Sequence, residues 1–404
     1  MPLDNLDQIR QGQPFPPHSE LAMTNYTAKW RRYYENDFAE AHIEKIAEDL
    51  PGYGINWYRR IATFYGEFMF GDRPQIFLER IDDRMQEELE TLGESLFPAL
   101  QVSNVDMIRY GKGVIASHPH NPLAFQRFER DQHFEVHNQR GETTADILYR
   151  VRNQDLPDEE RSGQSKRVDV YKYPVNGPAI WEIYSYTKGA LGNRLETINL
   201  APRQGRQVIE FSPNIDTTSL FEDIEGPINE MSRTLSRVGF SVKRNLRPHL
   251  AAPTGSLVTE DGKTVAINEK GMVFPVESGD ILPQYIQWDS SMEGVQVYLN
   301  NLKSTMFNMV GLSELLFDPA LFPGELSGEA LRRLMMAFWS KLNHFKAINN
   351  QAIEQLLDMW NLNRQANGLE VFDIGAIEVL WKWEDLFMNM LDSDNEQETQ
   401  SIQE

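Results

Sequence analysis

The sequence has no cysteine. Disulfides and thiolate metal sites are therefore excluded, and a reducing cytosol, or a particle assembled in one, suits the chain. It also lacks any apolar run near the ~20 residues that span a bilayer, so no membrane association is expected. Its opening stretch, MPLDNLDQIRQGQPFPPHSE, is polar and has no apolar segment of the signal-peptide kind. Positive charge is scarce: 39 lysines and arginines stand against 60 aspartates and glutamates, a net charge of −21. A free DNA-binding domain carries a basic footprint, which this chain as a whole does not. Strong acidity keeps a protein soluble and repels phosphate. Solubility is the commoner use, while repulsion suits a wall along which DNA slides without sticking. Nucleotide signatures are missing too. Gly111-Lys112-Gly113 lacks the rest of a phosphate-binding loop, and no G-x-G-x-x-G follows a strand. There is no G-x-S-x-G elbow. No cofactor is expected.

What is present fits a soluble chain with a large core and more than one sub-domain: 404 residues, 41% hydrophobic and 25% charged. The strongest signal lies between Ser290 and Asn361. Val295, Leu299, Leu302, Met306 and Val310 repeat at helical spacing. Phe317-Asp318-Pro319 through Phe322-Pro323-Gly324 breaks that pattern. Ser327-Gly328-Glu329-Ala330-Leu331 restarts it, and one apolar stripe then runs through Phe338, Leu342, Phe345 and Leu356 to Trp360. Ser327 is placed to cap the long helix, with Glu329 in its first turn where the helix dipole favours an acid.

Elsewhere residues 1–23 read as a polar arm. A first helix is predicted from Thr27 to about Leu50 and a second from Ile55 to Met69, ended by Gly71-Asp72-Arg73-Pro74. A third covers Gln75 to Leu92, with Arg80–Asp83 and Arg84–Glu88 at ion-pair spacing. A shorter one runs from Pro98 to Tyr110. From 111 to 212 the texture is of short strands: Val114–Ala116, Phe125–Phe128, Phe134–Val136, Ile147–Val151, Val168–Tyr173 and Ile180–Tyr186. A helix follows from Ser219 to Arg247. Residues 250–288 then read as a small β module, in which Asp261-Gly262 marks a hairpin between 256–260 and 263–267. Leu369–Phe372 and Ile377–Trp383 read as strands, and the stretch from Asp392 is an acidic tail. The fold class is α+β.

Few constellations carry chemistry. His133, Glu135 and His137 alternate, so a strand puts all three on one face with Phe134 and Val136 opposite. They read as a half-exposed polar face, or more remotely as metal ligands. His118-Pro119-His120 reads as a turn. Glu260, Asp261 and Lys263 look like a nuclease strand end, although a hairpin tip explains them better. Arg233, Arg237, Lys243, Arg244 and Arg247 form the one dense basic cluster. They read either as a solvated helix face paired with Glu230 or as a contact for phosphate or an acidic partner. Met306, Met309, Met335, Met336 and Met359 read as an adaptable core or subunit interface.

Four stretches, in order, resemble the portal proteins of tailed double-stranded DNA bacteriophages. Asn56–Pro74 is similar to the family's early wing helix with its Phe-Gly-x-x-Pro turn. Leu220–Arg247 is similar to its first stem helix, and Tyr285–Leu315 to the lead-in and second stem helix. Leu326-Ser327-Gly328-Glu329-Ala330-Leu331 is similar to the Ser-Gly-x-Ala-Leu that opens the long wing helix. The resemblance implies a non-enzymatic homo-oligomeric ring, commonly of twelve subunits, at one capsid vertex of a virion assembled in the host cytoplasm. Double-stranded DNA passes through it during packaging and ejection. Partners implied are the terminase large subunit, the major capsid or scaffold protein, and an adaptor or head-completion protein.

On that pattern 1–23 is the arm and 24–217 the helical wing (helices 24–110, β insertion 111–212). The stem comprises 218–247 and 290–316, the clip 248–289. Residues 317–327 form a tunnel loop and 328–385 a long kinked helix with closing strands. The loop residues facing DNA would be Phe317, Asp318, Pro319, Leu321, Phe322, Pro323, Gly324, Glu325 and Ser327, and the clip hairpin would be Glu260, Asp261, Gly262 and Lys263. The family continues past the last strand into a helical crown; here 386–404 is an acidic tail, and no crown function is assigned. The alternatives from other classes are a metal-dependent DNA-processing nuclease and a head–tail adaptor ring.

Overall fold

The computed structural model describes residues 12, 14–16, 18–36, 55–78, 83–150, 166–187, 190–202, 204–245, 249–253, 273–276, 284–286, 292–317, 328–372, 375 and 377–384. At several element ends, among them 243–245 and 328–334, and in the strands between 249 and 286, only the backbone is described. The helices are α1 (Leu21–Tyr34), α2 (Trp57–Phe70), α3 (Asp83–Tyr110), α4 (Phe221–Asn245), α5 (Met292–Val310) and α6 (Gly328–Ala366). The strands are β1 (Gln75–Leu78), β2 (Gly113–His118), β3 (Asn121–Phe128), β4 (His133–His137), β5 (Thr143–Arg150), β6 (Lys166–Lys172) and β7 (Ile180–Thr187). They continue with β8 (Ala190–Asn199), β9 (Val208–Phe211), β10 (His249–Pro253), β11 (Val273–Val276), β12 (Gln284–Ile286) and β13 (Ile377–Leu380). The architecture is mixed helix and sheet, as the α+β reading expects. Two units divide the chain: residues 1–35, 56–223 and 310–404 form one, and 36–55 with 224–309 the other.

In the larger unit the helical core is built around α2. The Asn56 side chain caps it, accepting from the Arg59 N–H at 3.0 Å and donating to the Tyr34 carbonyl at 2.9 Å. On one side Tyr58 meets Trp30 and Tyr33 of α1 and Phe221 of α4, with ring centroids 6.2, 5.1 and 4.9 Å apart. On another, Tyr65 and Phe68 meet Phe345 and Phe338 of α6, each at 5.1 Å. Such pairs add roughly 0.5–1.5 kcal/mol each beyond the area they bury. Gly66 lets α3 approach, since a Cβ there would lie 2.9 Å from Val105 Cγ2.

Several boundaries differ from the sequence reading. The first helix begins at Leu21 and stops at Tyr34, where Asn36 takes a left-handed φ of 67°; residues 37–50, read into that helix, lie outside the described residues. Gln75–Leu78 is a strand, not a helix, and pairs antiparallel with β13, Gln75 opposite Leu380 and Leu78 opposite Ile377. The predicted break at Pro98 is absent: one helix runs from Asp83 to Tyr110 with Pro98 exposed inside it. Leu89, Leu92, Leu96 and Leu100 hold it as one piece by burying a single stripe. The Arg84–Glu88 pair forms at 3.5 Å, whereas Arg80 falls outside the described residues. Leu369–Phe372 is not a strand; Phe372 stacks on Trp360, and its backbone is tied to the Asn361 side chain at 2.7 and 3.0 Å.

The β region is two stacked sheets. β4 to β8 form an antiparallel meander, and β3, β2 and β9 form a second sheet in that order. Strand alternation sends Leu148, Tyr171, Trp181 and Ile183 of the meander toward Val114, Ala116, Phe128 and Val208 of the smaller sheet. The opposite face, with Phe134, Val136, Ile147 and Val170, is covered by Phe15 and Met23. Within the stretch read as a polar arm, Phe15 is 5% exposed and packs on Phe134, Tyr149 and Tyr186. Gly111-Lys112-Gly113 is the turn from α3 into β2. Gly111 has φ of 79°, and a Cβ on it would sit 2.2 Å from the Thr217 carbonyl oxygen, so the position accepts no side chain.

α6 carries a buried polar seam besides its apolar stripe. Asn349 and Asn104 of α3 exchange side-chain hydrogen bonds at 2.7 and 2.9 Å. Further along, Asn363 donates to Ser117 and Gln207 at 2.9 and 3.0 Å. Asn349→Leu leaves Asn104 Oδ1 buried without a donor and is expected to cost about 1–3 kcal/mol in thermal unfolding. The double variant Asn104→Leu/Asn349→Leu is expected to regain most of that loss; additive losses would show that the pair is not coupled.

In the smaller unit β10 pairs parallel with β11 and antiparallel with β12. α4 from Ile224 onward and α5 as far as Met309 belong to the same unit. The predicted hairpin strands, 256–260 and 263–267, lie outside the described residues.

Candidate functional site

Of the loop residues picked from sequence, Phe317 alone is described; Asp318, Pro319, Leu321, Phe322, Pro323, Gly324, Glu325 and Ser327 lie outside the described residues. The approach to the loop is firmly held. The Tyr65 hydroxyl donates to the Val310 carbonyl at 2.6 Å, and Leu312 is buried. Phe317 is half-buried and packs on α2. Its ring lies 4.9 Å from that of Phe64, and the Arg60 guanidinium carbon sits 5.0 Å above it. Both contacts tie Phe317 to α2.

The basic cluster is partly described. Arg233 and Arg237 are exposed on α4, and Arg233 lies 4.0 Å from Glu230. Lys243 and Arg244 are in the same helix by backbone; their side chains, and all of Arg247, are outside the described residues, as are Glu260, Asp261, Gly262 and Lys263. The methionines do not form one face: Met306 and Met359 are buried, while Met309 and Met336 are exposed.

His133, Glu135 and His137 share one strand face, but that face looks into the sandwich and not to solvent. His133 is 2% exposed. Its Nε2 lies 2.9 Å from Asp146 Oδ1, and its Nδ1 lies 2.5 Å from Glu210 Oε1 as an ion contact off the hydrogen-bonding angle. Lys112 reaches Glu210 at 2.6 Å, and Arg206 bridges Asp146 and Glu135 at 2.8 and 2.5 Å. The Tyr173 hydroxyl donates to Asp146 at 2.8 Å. Burial opposes charge on the imidazole, but Glu210 and Asp146 prevail and push its pKa up to about 9. Against the same burial, His133 and Lys112 hold the Glu210 carboxyl well below the usual range. Of the residues read as possible metal ligands, His133 is thus spent on an ion pair that clamps one sheet to the other and Glu135 on Arg206, while His137 lies 3.4 Å from Glu135 of its own strand. No cluster of metal-ligating side chains occurs among the described residues.

A second charged constellation went unread in the sequence. Arg31 of α1, Asp106 and Arg109 of α3, Arg127 of β3, and Glu129 and Asp131 after it converge where the helices meet the sheets. Arg109 donates to Asp106 at 2.9 Å and to Glu129 at 3.0 Å. Arg127 donates to the same two carboxylates at 2.6 and 2.8 Å. Arg31 donates to Glu129 and, at 2.8 Å, to Asp131. Burial disfavours charge on Glu129, yet Arg31, Arg127 and Arg109 keep its carboxyl below the usual range. With every guanidinium matched to carboxylates, the cluster is a structural joint and offers no free acid or base.

No family model matches the chain, and no curated protein matches it. Among solved structures it is similar to a chain in the virion of a native gene transfer agent particle, at 12% identity and a TM-score of 0.47, covering 97% of this chain and 91% of that one. It is also similar to a chain in the neck of an empty gene transfer agent particle computed with C6 symmetry, at 12% identity and a TM-score of 0.42, with 92% and 86% covered.

Proposed function

We propose that this chain is a structural protein of a tailed-phage-like particle and, within it, the subunit of the portal ring through which double-stranded DNA passes. One observation carries the reading. α4 leads into three short strands, these lead into α5, and beyond the 311–327 connection comes α6, a single helix of 39 residues. That is the order in which the sequence resembles the stem, clip, second stem helix and long wing helix of portal proteins. At ~1.5 Å per residue α6 is roughly 58 Å long, the reach of a spoke from an axis to a rim. In this reading residues 318–327 lie nearest the DNA, with Phe317 as the pin that fixes where they start. The terminase motor and head-completion proteins dock on the module at 249–286, and the acidic surface keeps DNA from adhering. The chain itself performs no chemistry.

Negative-stain images and native mass spectrometry at micromolar concentration are expected to give closed rings with an axial opening; monomers and dimers alone would sink the proposal. Deleting Ala320–Leu326 is expected to leave rings intact while DNA packaging falls severely. Loss of rings in that variant would make the segment an assembly element instead.

A further inference from the structure

The sequence holds two Asn-Gly pairs, Asn176-Gly177 and Asn367-Gly368. Such a pair carries latent chemistry. The main-chain nitrogen that follows an asparagine is placed to attack the side-chain amide carbon, and glycine, having no Cβ, obstructs that approach least. The structure treats the two pairs in opposite ways.

Asn367-Gly368 closes α6. The Asn367 N–H donates to the Asn363 and Arg364 carbonyls at 3.1 Å each, and the Gly368 N–H to the Gln365 carbonyl at 3.1 Å. The Leu369 N–H reaches the Arg364 carbonyl at 3.0 Å, and Gly368 has a left-handed φ of 72°, as in a glycine-capped helix end. The Asn367 side chain is committed too. Its Nδ2 donates to the Pro119 carbonyl at 3.0 Å and to the Asn363 carbonyl at 2.7 Å. Attacking nitrogen and target amide are thus each held by hydrogen bonds that must break before the two meet.

Asn176-Gly177 lies in the turn from β6 to β7, beyond the Lys172–Ile180 pair. Val175 before it is 91% exposed, and Asn176 and Gly177 are exposed as well. A Cβ on Gly177 would meet nothing within 4 Å, so solvent reaches the main chain there. Among the described residues neither the Asn176 side chain nor the Gly177 N–H makes a hydrogen bond. Exposed turns with few contacts open at little cost in free energy, which lets the nitrogen and the amide carbon come together.

We propose that Asn176 is a site of spontaneous deamidation and that the α6 cap spares Asn367. The Gly177 nitrogen gives its proton to solvent base and forms a bond to Asn176 Cγ. The Cγ–Nδ2 bond breaks, and the amide nitrogen takes a proton from water and leaves as ammonia. The product is a succinimide ring. Water then opens it at one of its two carbonyls. Opening at Cγ leaves aspartate; opening at the backbone carbonyl leaves isoaspartate, whose main chain runs through Cβ and Cγ. Nothing is oxidised or reduced. Either product puts a negative charge at the tip of the turn, and isoaspartate also lengthens the link between β6 and β7 by one carbon. The site is independent of the portal reading.

The test is peptide mapping by mass spectrometry on the full chain held at 37 °C and pH 8. The peptide bearing Asn176 is expected to take on the mass of the acid, and to split into separable aspartate and isoaspartate forms, at least tenfold faster than the peptide bearing Asn367. In concentrated guanidinium chloride the two rates are expected to come within about threefold, because only the fold distinguishes the pairs. An Asn176 that stays intact in the folded chain, or equal rates at the two sites there, overturns the proposal. A tenfold gap that persists in denaturant overturns it too, since sequence neighbours would then set the rates.

Discussion

Glu129→Gln is expected to destabilise the larger unit by about 3–5 kcal/mol, a fall in melting temperature on the order of 10 °C. Glu129 accepts from three guanidiniums, Arg31, Arg109 and Arg127, and its side chain is 8% exposed. The amide keeps the shape but removes the charge, leaving Arg109, itself 9% exposed at the side chain, with Asp106 as its remaining carboxylate. Breaking a buried ion cluster by removing one partner is far costlier than the cluster's net worth, because the other charges stay buried. The effect should reach beyond the site, since the cluster joins α1, α3 and β3. Calorimetry of the variant beside the parent measures it; a loss under about 1 kcal/mol would mean that the arginines are solvated.

Raising the pH from 6.5 to 9 and beyond is expected to remove about 3 kcal/mol of stability through His133 alone. Its folded pKa of about 9 stands above its ordinary 6.5. A raised pKa of this kind contributes stability that is complete below pH 6.5 and is lost as pH climbs through 9. The carboxyls of Asp146 and Glu210 are shifted down, so their contribution runs the other way, present above the ordinary carboxylate range and lost in acid. The clamp between the two sheets therefore works best in the broad middle. Melting temperatures recorded from pH 5 to 10 should fall on the alkaline side in the parent and stay flatter there in His133→Gln. Equal alkaline slopes in the two proteins would show that the imidazole is uncharged when folded.

What could be read from the sequence was what repeats locally. α2, α4, α5 and α6 carry apolar residues every three or four positions, and six of the eight described strands between 113 and 211 show as short strand-like runs between turn residues, two of them alternating. Long-range partners left no such mark. Gln75–Leu78 is too short to declare itself, and its mate β13 lies near the far end of the chain, so a helix seemed the natural continuation. Pro98 looked like a break because a missing N–H matters locally; the buried leucine stripe that overrides it is a tertiary fact. β8 is largely exposed and polar, ALGNRLETIN, and carries little of the alternation that marks a strand. His133 shows the limit at the site. Its face was legible, but not that a second sheet bearing Glu210 lies over it. The Arg31–Asp106–Arg109–Arg127–Glu129 cluster draws on three separate elements, and no spacing announces it. Phe317 stands out in the sequence as an odd apolar residue; that it packs on Phe64, 253 positions earlier, is a contact no local spacing announces.

Phe15 lies against Phe134, Tyr149 and Tyr186, and its carbonyl accepts from the Tyr186 hydroxyl at 3.3 Å, 171 positions onward. The Gly12 N–H likewise reaches the Leu191 carbonyl at 2.6 Å. During synthesis at roughly 5–20 residues per second, these early residues wait on the order of ten seconds before their seat leaves the ribosome. The expectation is that the meander's apolar face stays open to whatever lies near the nascent chain until Phe15 docks on it. Chaperone demand for this protein should therefore peak in that interval.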